Sequence, residues 1–140
     1  MKNDQQKGPL HPLTQIIREI HSIFAEIGFE VALGPELETE FYNFDALNIP
    51  AEHPARDMQD TFWVKPLKDH KILRTHTTSL TARTMEEYKD KLPVRKIFPG
   101  KVFRNEATDV THEAQFFQID AVLVDKKVSL ADLKGTLTHF

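Results

Sequence analysis

The sequence predicts an α+β domain built on an antiparallel sheet flanked by helices. Two observations support this prediction. Pairs of strand-like runs are concentrated toward the C-terminal half of the chain, and helical patterns stand before and between them without a regular strand–helix alternation. The chain has only 5 glycines and contains neither a GxGxxG nor a Walker sequence, so side chains would have to hold any bound nucleotide.

The first predicted elements are a long helix followed by a strand. Apolar residues recur at spacings of three and four between positions 12 and 27, which is typical of a helix with one apolar stripe. Pro12 suits its first turn and Gly28 suits its end. The next residues predict a strand that places Phe29, Val31 and Leu33 on one face and stops at Gly34.

The middle of the chain predicts a short helix, a loop and two strands. Phe41, Phe44 and Leu47 favour a short helix closed by Pro50, and residues 51–60 favour a loop. Residues 62–64 and 72–76 are typical of strands joined by a basic turn. Phe41, Phe44, Phe62 and Trp63 are expected to be core residues.

Two further helices are predicted, around a second pair of strands. One runs over residues 78–91 and ends before Pro93. The other begins after Ser129, which with Asp132 three residues later resembles a capping box. The strands between these helices hold the polar residues that point to function.

Composition and charge limit the class of protein. With 140 residues, 40% of them hydrophobic, the chain is long enough for one domain with a core. It has no cysteine, so a reducing compartment fits best. It also has neither a leader-like N-terminus nor a run of about 18 apolar residues. We therefore expect a cytoplasmic protein with no membrane association.

The net charge of −3 conceals a basic zone. Residues 1–64 hold 4 basic and 11 acidic side chains, whereas residues 65–104 hold 11 basic and 4 acidic ones. This balance argues against a dedicated nucleic-acid-binding module, but a basic zone leading to Arg104 suits an anionic ligand.

The stretch RNEATDVTHEAQFFQID, residues 104–120, places charges between and within two apolar runs. Side chains alternate between the two faces of a strand, so a hairpin would gather polar groups on one face: Arg104, Glu106, Gln118 and Asp120. Three apolar side chains would anchor the reverse face: Phe117, Ile119 and Leu123. A guanidinium matches a phosphate or carboxylate, a carboxylate beside an amide accepts from an ammonium, and Phe116 could stack on a flat ring. The pattern indicates an amino acid beside a nucleotide, with an internal salt-bridge network on a solvent-facing sheet as the alternative.

Long stretches of the chain resemble a known family. One stretch looks like motif 2 of a class II aminoacyl-tRNA synthetase: FPGKVFRNEATDVTHEAQFFQIDAVLVD. Its details are most similar to the α subunits of phenylalanyl-tRNA synthetases. HPLTQIIREIHSIFAEIGFEVALGPELETEFYNFDALN resembles their motif 1, and HPARDMQDTFWV and LRTHTTSLTARTM resemble the segments between. The resemblance assigns motif 1 to about residues 12–35 and motif 2 to about residues 97–125. It implies that residues 9–140 are part of a catalytic domain that is truncated before motif 3. Residues 1–8 are expected to be a disordered segment that precedes it.

The resemblance also implies roles for residues of the ATP site. Arg104 matches the arginine that contacts the α-phosphate of ATP and the amino-acid carboxylate, and it is the expected catalytic residue. Glu106 matches the acid that reads the adenine amino group, Phe116 the ring that stacks on adenine, and His112 the loop residue near the β- and γ-phosphates.

A second set of residues matches the amino-acid pocket of the family. Gln118 and Asp120 match the pair near the substrate ammonium, and His76 and Thr78 match the segment lining the same pocket. Four residues depart from the common pattern of the family. Asp120 stands where glutamate is common and Thr78 where serine is common. Ser79 replaces a frequent proline, and Thr81 replaces a frequent glutamine.

The resemblance implies ATP and phenylalanine as substrates, with magnesium bridging ATP oxygens, tRNA(Phe) as acceptor and a β subunit in an α2β2 assembly. We predict no protein-bound metal site, because zinc held by His76 and His112 would lack a third ligand at suitable spacing. We expect the segment alone to be inactive. The alternative is a non-catalytic synthetase paralogue that serves as a ligand-binding or regulatory module.

Overall fold

The computed structural model describes residues 8–57, 60–105, 110 and 113–140. The predicted disorder of residues 1–8 therefore lies outside the described residues, apart from Gly8. The helices are α1 (Pro12–Glu26), α2 (Glu40–Asn43), α3 (Ser79–Tyr88) and α4 (Leu130–His139). The strands are β1 (Glu30–Val31), β2 (Leu37–Thr39), β3 (Trp63–Val64), β4 (Lys71–Leu73), β5 (Val94–Phe103) and β6 (Gln115–Val124). Within the described residues, no helix is long and apolar enough to cross a membrane.

The strands form two three-stranded sheets, ordered β1-β5-β6 and β2-β4-β3. The pairs β5–β6, β2–β4 and β3–β4 are antiparallel, which confirms the predicted α+β class. The pair β1–β5 is parallel. A parallel neighbour requires a long crossover connection, and here the whole second sheet and α3 lie between β1 and β5 in the chain.

Helix α1 packs against the first sheet and forms its core. Phe24, Phe29 and Ile97 are buried together, and partly buried apolar side chains surround them: Ile20, Ile27, Val31, Ile119 and Leu123. Gly28 has φ +80° and follows the last helical turn, as predicted. A left-handed backbone of this kind suits glycine because it has no Cβ.

The predicted strand after α1 is shorter than expected. Only Glu30 and Val31 pair with β5, and Leu33 is 79% exposed. The prediction that the strand extends to Leu33 is therefore wrong, because the ladder ends before its position. Phe41 is also 53% exposed rather than in the core, since α2 is a single turn that buries Asn43 instead.

The segment predicted as a loop at residues 51–60 contains a 3-10 turn over Pro54–Arg56, and Arg56 is buried. Its guanidinium donates to Glu40 at 3.0 Å, to Asp45 at 2.5 Å and to the backbone carbonyl of Ile49. A buried charge needs such partners, so Arg56 holds this polar segment against α2. Strand β2 was not predicted.

The remaining predicted elements are present. β3 and β4 pair across a turn, and α3 lies within the predicted range 78–91. At the start of α4 the Ser129 hydroxyl accepts from the Asp132 backbone, and the Asp132 carboxylate accepts from the Ser129 backbone. This confirms the predicted capping box.

Candidate functional site

The hairpin of β5 and β6 places the predicted residues on one sheet face. Phe116 lies opposite Val102, Gln118 opposite Gly100, and Asp120 opposite Phe98. On the reverse face Ile119 and Leu123 pack on the core cluster. Among the described residues, the register confirms the predicted division for Gln118 and Asp120 on one face and for Ile119 and Leu123 on the other. Phe117 is 39% exposed and does not anchor the reverse face.

Arg104 follows the end of β5 and remains beside the partner strand. Its backbone N–H donates to the carbonyl of Ala114 at 3.0 Å, and its Nε donates to the carbonyl of Thr75 at 3.3 Å. Its guanidinium carbon lies 5.0 Å from the centroid of the Phe116 ring, within the range of a cation–π contact. The structure thus brings together Arg104 and Phe116, whereas Glu106 and His112 lie outside the described residues.

Asp120 receives hydrogen bonds at both carboxylate oxygens. The Thr78 hydroxyl donates to Oδ2 at 2.6 Å, and the Gln118 amide donates to Oδ1 at 3.3 Å. Thr78 is the N-cap residue of α3, yet its hydroxyl makes no capping bond within the helix. The Thr78 side chain therefore links the start of α3 to the Asp120 carboxylate and orients it.

The pKa of His76 is influenced by its burial and by both Asp120 and Arg104. Burial lowers the pKa of its imidazole below the ordinary value of 6.5. The Asp120 carboxylate and the backbone of Asn43 oppose that shift in pKa, and the Arg104 guanidinium adds to it. His76 is consequently held neutral at physiological pH and presents one ring donor and one acceptor.

Several buried polar atoms around this face have no hydrogen-bond partner among the described residues. They are His76 Nδ1 and Nε2, Thr77 Oγ1, Ser79 Oγ and Gln118 Oε1. Buried polar atoms in folded proteins are usually paired. Their concentration in residues 76–79 and beside Asp120 is what a polar binding site requires.

A cavity of about 190 Å³ adjoins Arg104 and His76. Its walls are Phe44, Ile49, Ala55, Asp60 and Thr75, together with these two residues. Larger cavities lie elsewhere, including one of about 430 Å³ beside α3 and one of about 310 Å³ beneath α4, and neither of these two contains a predicted site residue. The convergence of polar groups, more than cavity size, marks the site.

Asn43 and Thr75, which sequence patterns did not single out, support the site. The Asn43 amide donates to Thr75 Oγ1 at 2.9 Å, and its carbonyl accepts from the Thr75 backbone N–H at 3.2 Å. Thr75 in turn accepts from Arg104. The two residues are 32 positions apart, so no local pattern relates them. Among the described residues, no group of three or more His, Asp or Glu side chains could hold a metal ion.

The fold is similar to that of a solved structure. The structure is similar to the crystal structure of pyrrolysyl-tRNA synthetase from Desulfitobacterium hafniense, with a TM-score of 0.73 and 18% sequence identity over 91% of this chain and 43% of that one. Both have the core fold of the class II synthetases. At this identity the likeness concerns the fold alone.

The chain belongs to the family of class II tRNA synthetase core domains (F), whose model matches residues 1–140. It is 50% identical over 135 residues to the phenylalanine–tRNA ligase alpha subunit of Bacillus mycoides, and 50% identical over 134 residues to that of Shouchella clausii. Each match covers 96% of this chain but 38% of the relative. The resemblance to these α subunits is confirmed, and the chain spans well under half of their length.

Proposed function

We propose that this chain is part of the catalytic domain of a phenylalanine–tRNA ligase α subunit. The reaction is activation of phenylalanine with ATP to an aminoacyl-adenylate, followed by transfer to tRNA(Phe). The observation that carries the proposal is that Arg104 stacked on Phe116, and Asp120 held by Thr78, lie along one hairpin face. A cation for phosphate and a carboxylate for ammonium are thereby presented on the same face of the hairpin.

In this proposal Arg104 contacts the α-phosphate of ATP and the carboxylate of the amino acid. Two anions must approach each other for the carboxylate to attack phosphorus, and a guanidinium between them lowers that repulsion and stabilises the charge of the transition state. Phe116 provides the face on which adenine stacks. Glu106 and His112 are assigned to the adenine amino group and the outer phosphates.

Asp120, Gln118, Thr78 and His76 bind the amino acid. The Asp120 carboxylate accepts from the substrate ammonium, and the Thr78 hydroxyl fixes its orientation at 2.6 Å. A neutral His76 adds polarity without a second positive charge that would repel the ammonium. The unpartnered Gln118 Oε1 supplies a further acceptor.

The chemistry requires no activated nucleophile from the protein. A substrate carboxylate is already ionised at neutral pH, so attack on the α-phosphorus needs orientation and charge stabilisation rather than a general base. A magnesium ion accompanying ATP would be ligated mainly by phosphate oxygens and water. The basic zone that ends at Arg104 fits a polyphosphate substrate.

The proposal extends to partners and location. The acceptor is tRNA(Phe), the working assembly joins two α with two β subunits, and the enzyme acts in the cytoplasm. The name that the relatives carry, phenylalanine–tRNA ligase alpha subunit, supports the tRNA and the β-subunit partner.

The test is amino-acid-dependent exchange of pyrophosphate into ATP. The natural polypeptide that contains this segment is co-expressed with its β-subunit candidate, and exchange is measured with phenylalanine, tyrosine and leucine. We expect exchange with phenylalanine alone. A folded complex that supports no exchange with any amino acid would overturn the proposal in favour of the non-catalytic paralogue.

A further inference from the structure

We infer that Arg74 is a positioning residue for this site, acting through its buried guanidinium and the space left for it at Gly100. It fixes Arg104 relative to residues 75–78, which carry His76 and Thr78. The consequence for catalysis rests on the proposed function, whereas the geometry does not depend on it. The hydrogen bonds of the Arg74 side chain go to backbone carbonyls of the chain itself, so we assign it a role that acts through other residues.

The side chain of Arg74 joins two separate segments of the chain. It is 3% exposed. Its Nε donates to the carbonyl of Lys101 in β5 at 2.7 Å, and its Nη1 lies 3.2 Å from the carbonyl of Gly34 and 3.3 Å from that of Pro35. One guanidinium thus ties the hairpin strand to the segment between β1 and β2.

The backbone of Arg74 is also the junction of the two sheets. Its N–H donates to the carbonyl of Glu36 at 3.0 Å, and its carbonyl accepts from the N–H of Phe103 at 2.9 Å. The chain therefore leaves the second sheet after Leu73 and bonds to the first sheet at the next residue. Side chain and backbone together set the register between Arg74 and the last residues of β5.

The residues of the site come directly after the bonded pair of Arg74 and Phe103. Arg104 follows Phe103, Thr75 follows Arg74, and Arg104 Nε donates to the Thr75 carbonyl at 3.3 Å. A shift at Arg74 would move the proposed phosphate-binding group relative to His76 and Thr78. Displacement of reacting groups by about 1 Å can cost about a hundredfold in rate.

Gly100 leaves the space that the guanidinium occupies. A Cβ at this position would lie 2.1 Å from Arg74 Nη2 and 3.0 Å from Cζ. Gly100 also pairs with Gln118 across the hairpin. The guanidinium therefore lies against the same face of the hairpin that presents Gln118 and Asp120, and an added methyl group would displace the guanidinium or the strand.

Arginine is required here rather than any cation. Burial lowers the pKa of the Arg74 guanidinium, while Glu36 and Glu38 oppose that shift. A lysine would keep a positive charge, but its single ammonium lacks the planar fork that reaches carbonyls on two segments. Arg74→Lys is thus a conservative change in charge and a disruptive one in geometry.

The experiment combines Arg74→Lys, Gly100→Ala and the double variant in the natural polypeptide with its β-subunit candidate. Arg18→Lys, at an exposed position of α1, is the matched control. Pyrophosphate exchange is measured well below the unfolding temperature of each variant, and amide hydrogen exchange is followed over residues 75–78 and 101–104. We expect Arg74→Lys and Gly100→Ala each to lower kcat by about tenfold or more, with smaller changes in the KM for ATP.

The double variant separates positioning from general destabilisation. Lysine leaves empty the space that Nη2 occupies. In the Arg74→Lys background, Gly100→Ala should therefore lower kcat by less than about threefold. A folded Arg74→Lys with kcat within about threefold of wild type would overturn the inference. If Arg74→Lys does not fold, a folded Gly100→Ala with normal kcat would overturn it as well.

Failure of the proposed function would be recognised separately, as absence of exchange in the wild type. The positioning role is then decided by hydrogen exchange alone. Faster exchange in residues 75–78 and 101–104, with α1 unchanged, would support it. Unchanged exchange in those segments would overturn it.

Discussion

The Thr78 hydroxyl donates a 2.6 Å hydrogen bond to Asp120 across 42 positions of sequence. The bond joins the start of α3 to the middle of β6 and leaves Thr78 without a capping bond in its own helix. The orientation of the Asp120 carboxylate is therefore set in part by a residue of a distant element.

Loss of this bond should weaken amino-acid binding. Thr78→Val keeps the shape of the side chain and removes the donor, whereas Thr78→Ser keeps the donor. Hydrogen bonds to charged groups contribute about 1.5–3 kcal/mol, so the KM for phenylalanine in pyrophosphate exchange should rise about tenfold or more in Thr78→Val. The KM for ATP should change little, and Thr78→Ser should remain near wild type. An unaltered phenylalanine KM in Thr78→Val would contradict the assignment of Asp120.

His76 should make the protein sensitive to acid. Burial lowers its pKa in the folded state below the ordinary value of 6.5. Between the folded-state pKa and the unfolded-state pKa, the unfolded chain therefore binds a proton that the folded chain does not. The free energy of unfolding therefore falls as pH decreases below about 6.5, by at most about 1.4 kcal/mol per pH unit from this residue.

The measurement is urea denaturation of the 140-residue chain at pH 5 to 8, followed by the fluorescence of its single tryptophan, Trp63. His76→Asn should flatten the acid side of the profile relative to wild type. His21→Asn, on the exposed side of α1, should not. Parallel profiles for wild type and His76→Asn would show that the pKa of His76 is not lowered.

Arg56 should stabilise the segment before β3. Arg56→Met removes the donor to Glu40, Asp45 and Ile49, although the Glu40 carboxylate keeps its contact with His70. Because Glu40 and Asp45 retain some contact with water, we expect a loss of about 2 kcal/mol in the free energy of unfolding. Lys68→Met, at an exposed position, is the control in the same urea assay. A loss equal to that of the control would refute the role of Arg56.

The capping box of α4 should be detectable as local stability. Ser129→Ala removes the N-cap hydroxyl, which typically contributes about 1 kcal/mol, so amides of α4 should exchange about fivefold faster. Thr138→Ala, near the other end of the helix, should leave the first turn unchanged. Equal exchange in wild type and Ser129→Ala would mean that packing alone maintains this helix.

Local patterns predicted much of the fold. The spacing of apolar residues gave α1, the alternation of side chains gave the two faces of the hairpin, and Ser129 with Asp132 gave the start of α4. Each depends on residues that are neighbours in sequence. The errors at Leu33 and Phe41 arose where an element ended earlier than its pattern, which local periodicity does not reveal.

The sequence by itself determined the hairpin and the residues available to it, including Arg104, Phe116, Gln118 and Asp120. The roles of Glu106 and His112 remain predictions from sequence. Only the tertiary structure decided that Thr78 reaches Asp120, that Asn43 holds Thr75, and that Arg74 joins the two sheets. These contacts span 27 to 42 positions. Their partners are set by how the two sheets pack, and no periodicity within a single element specifies that packing.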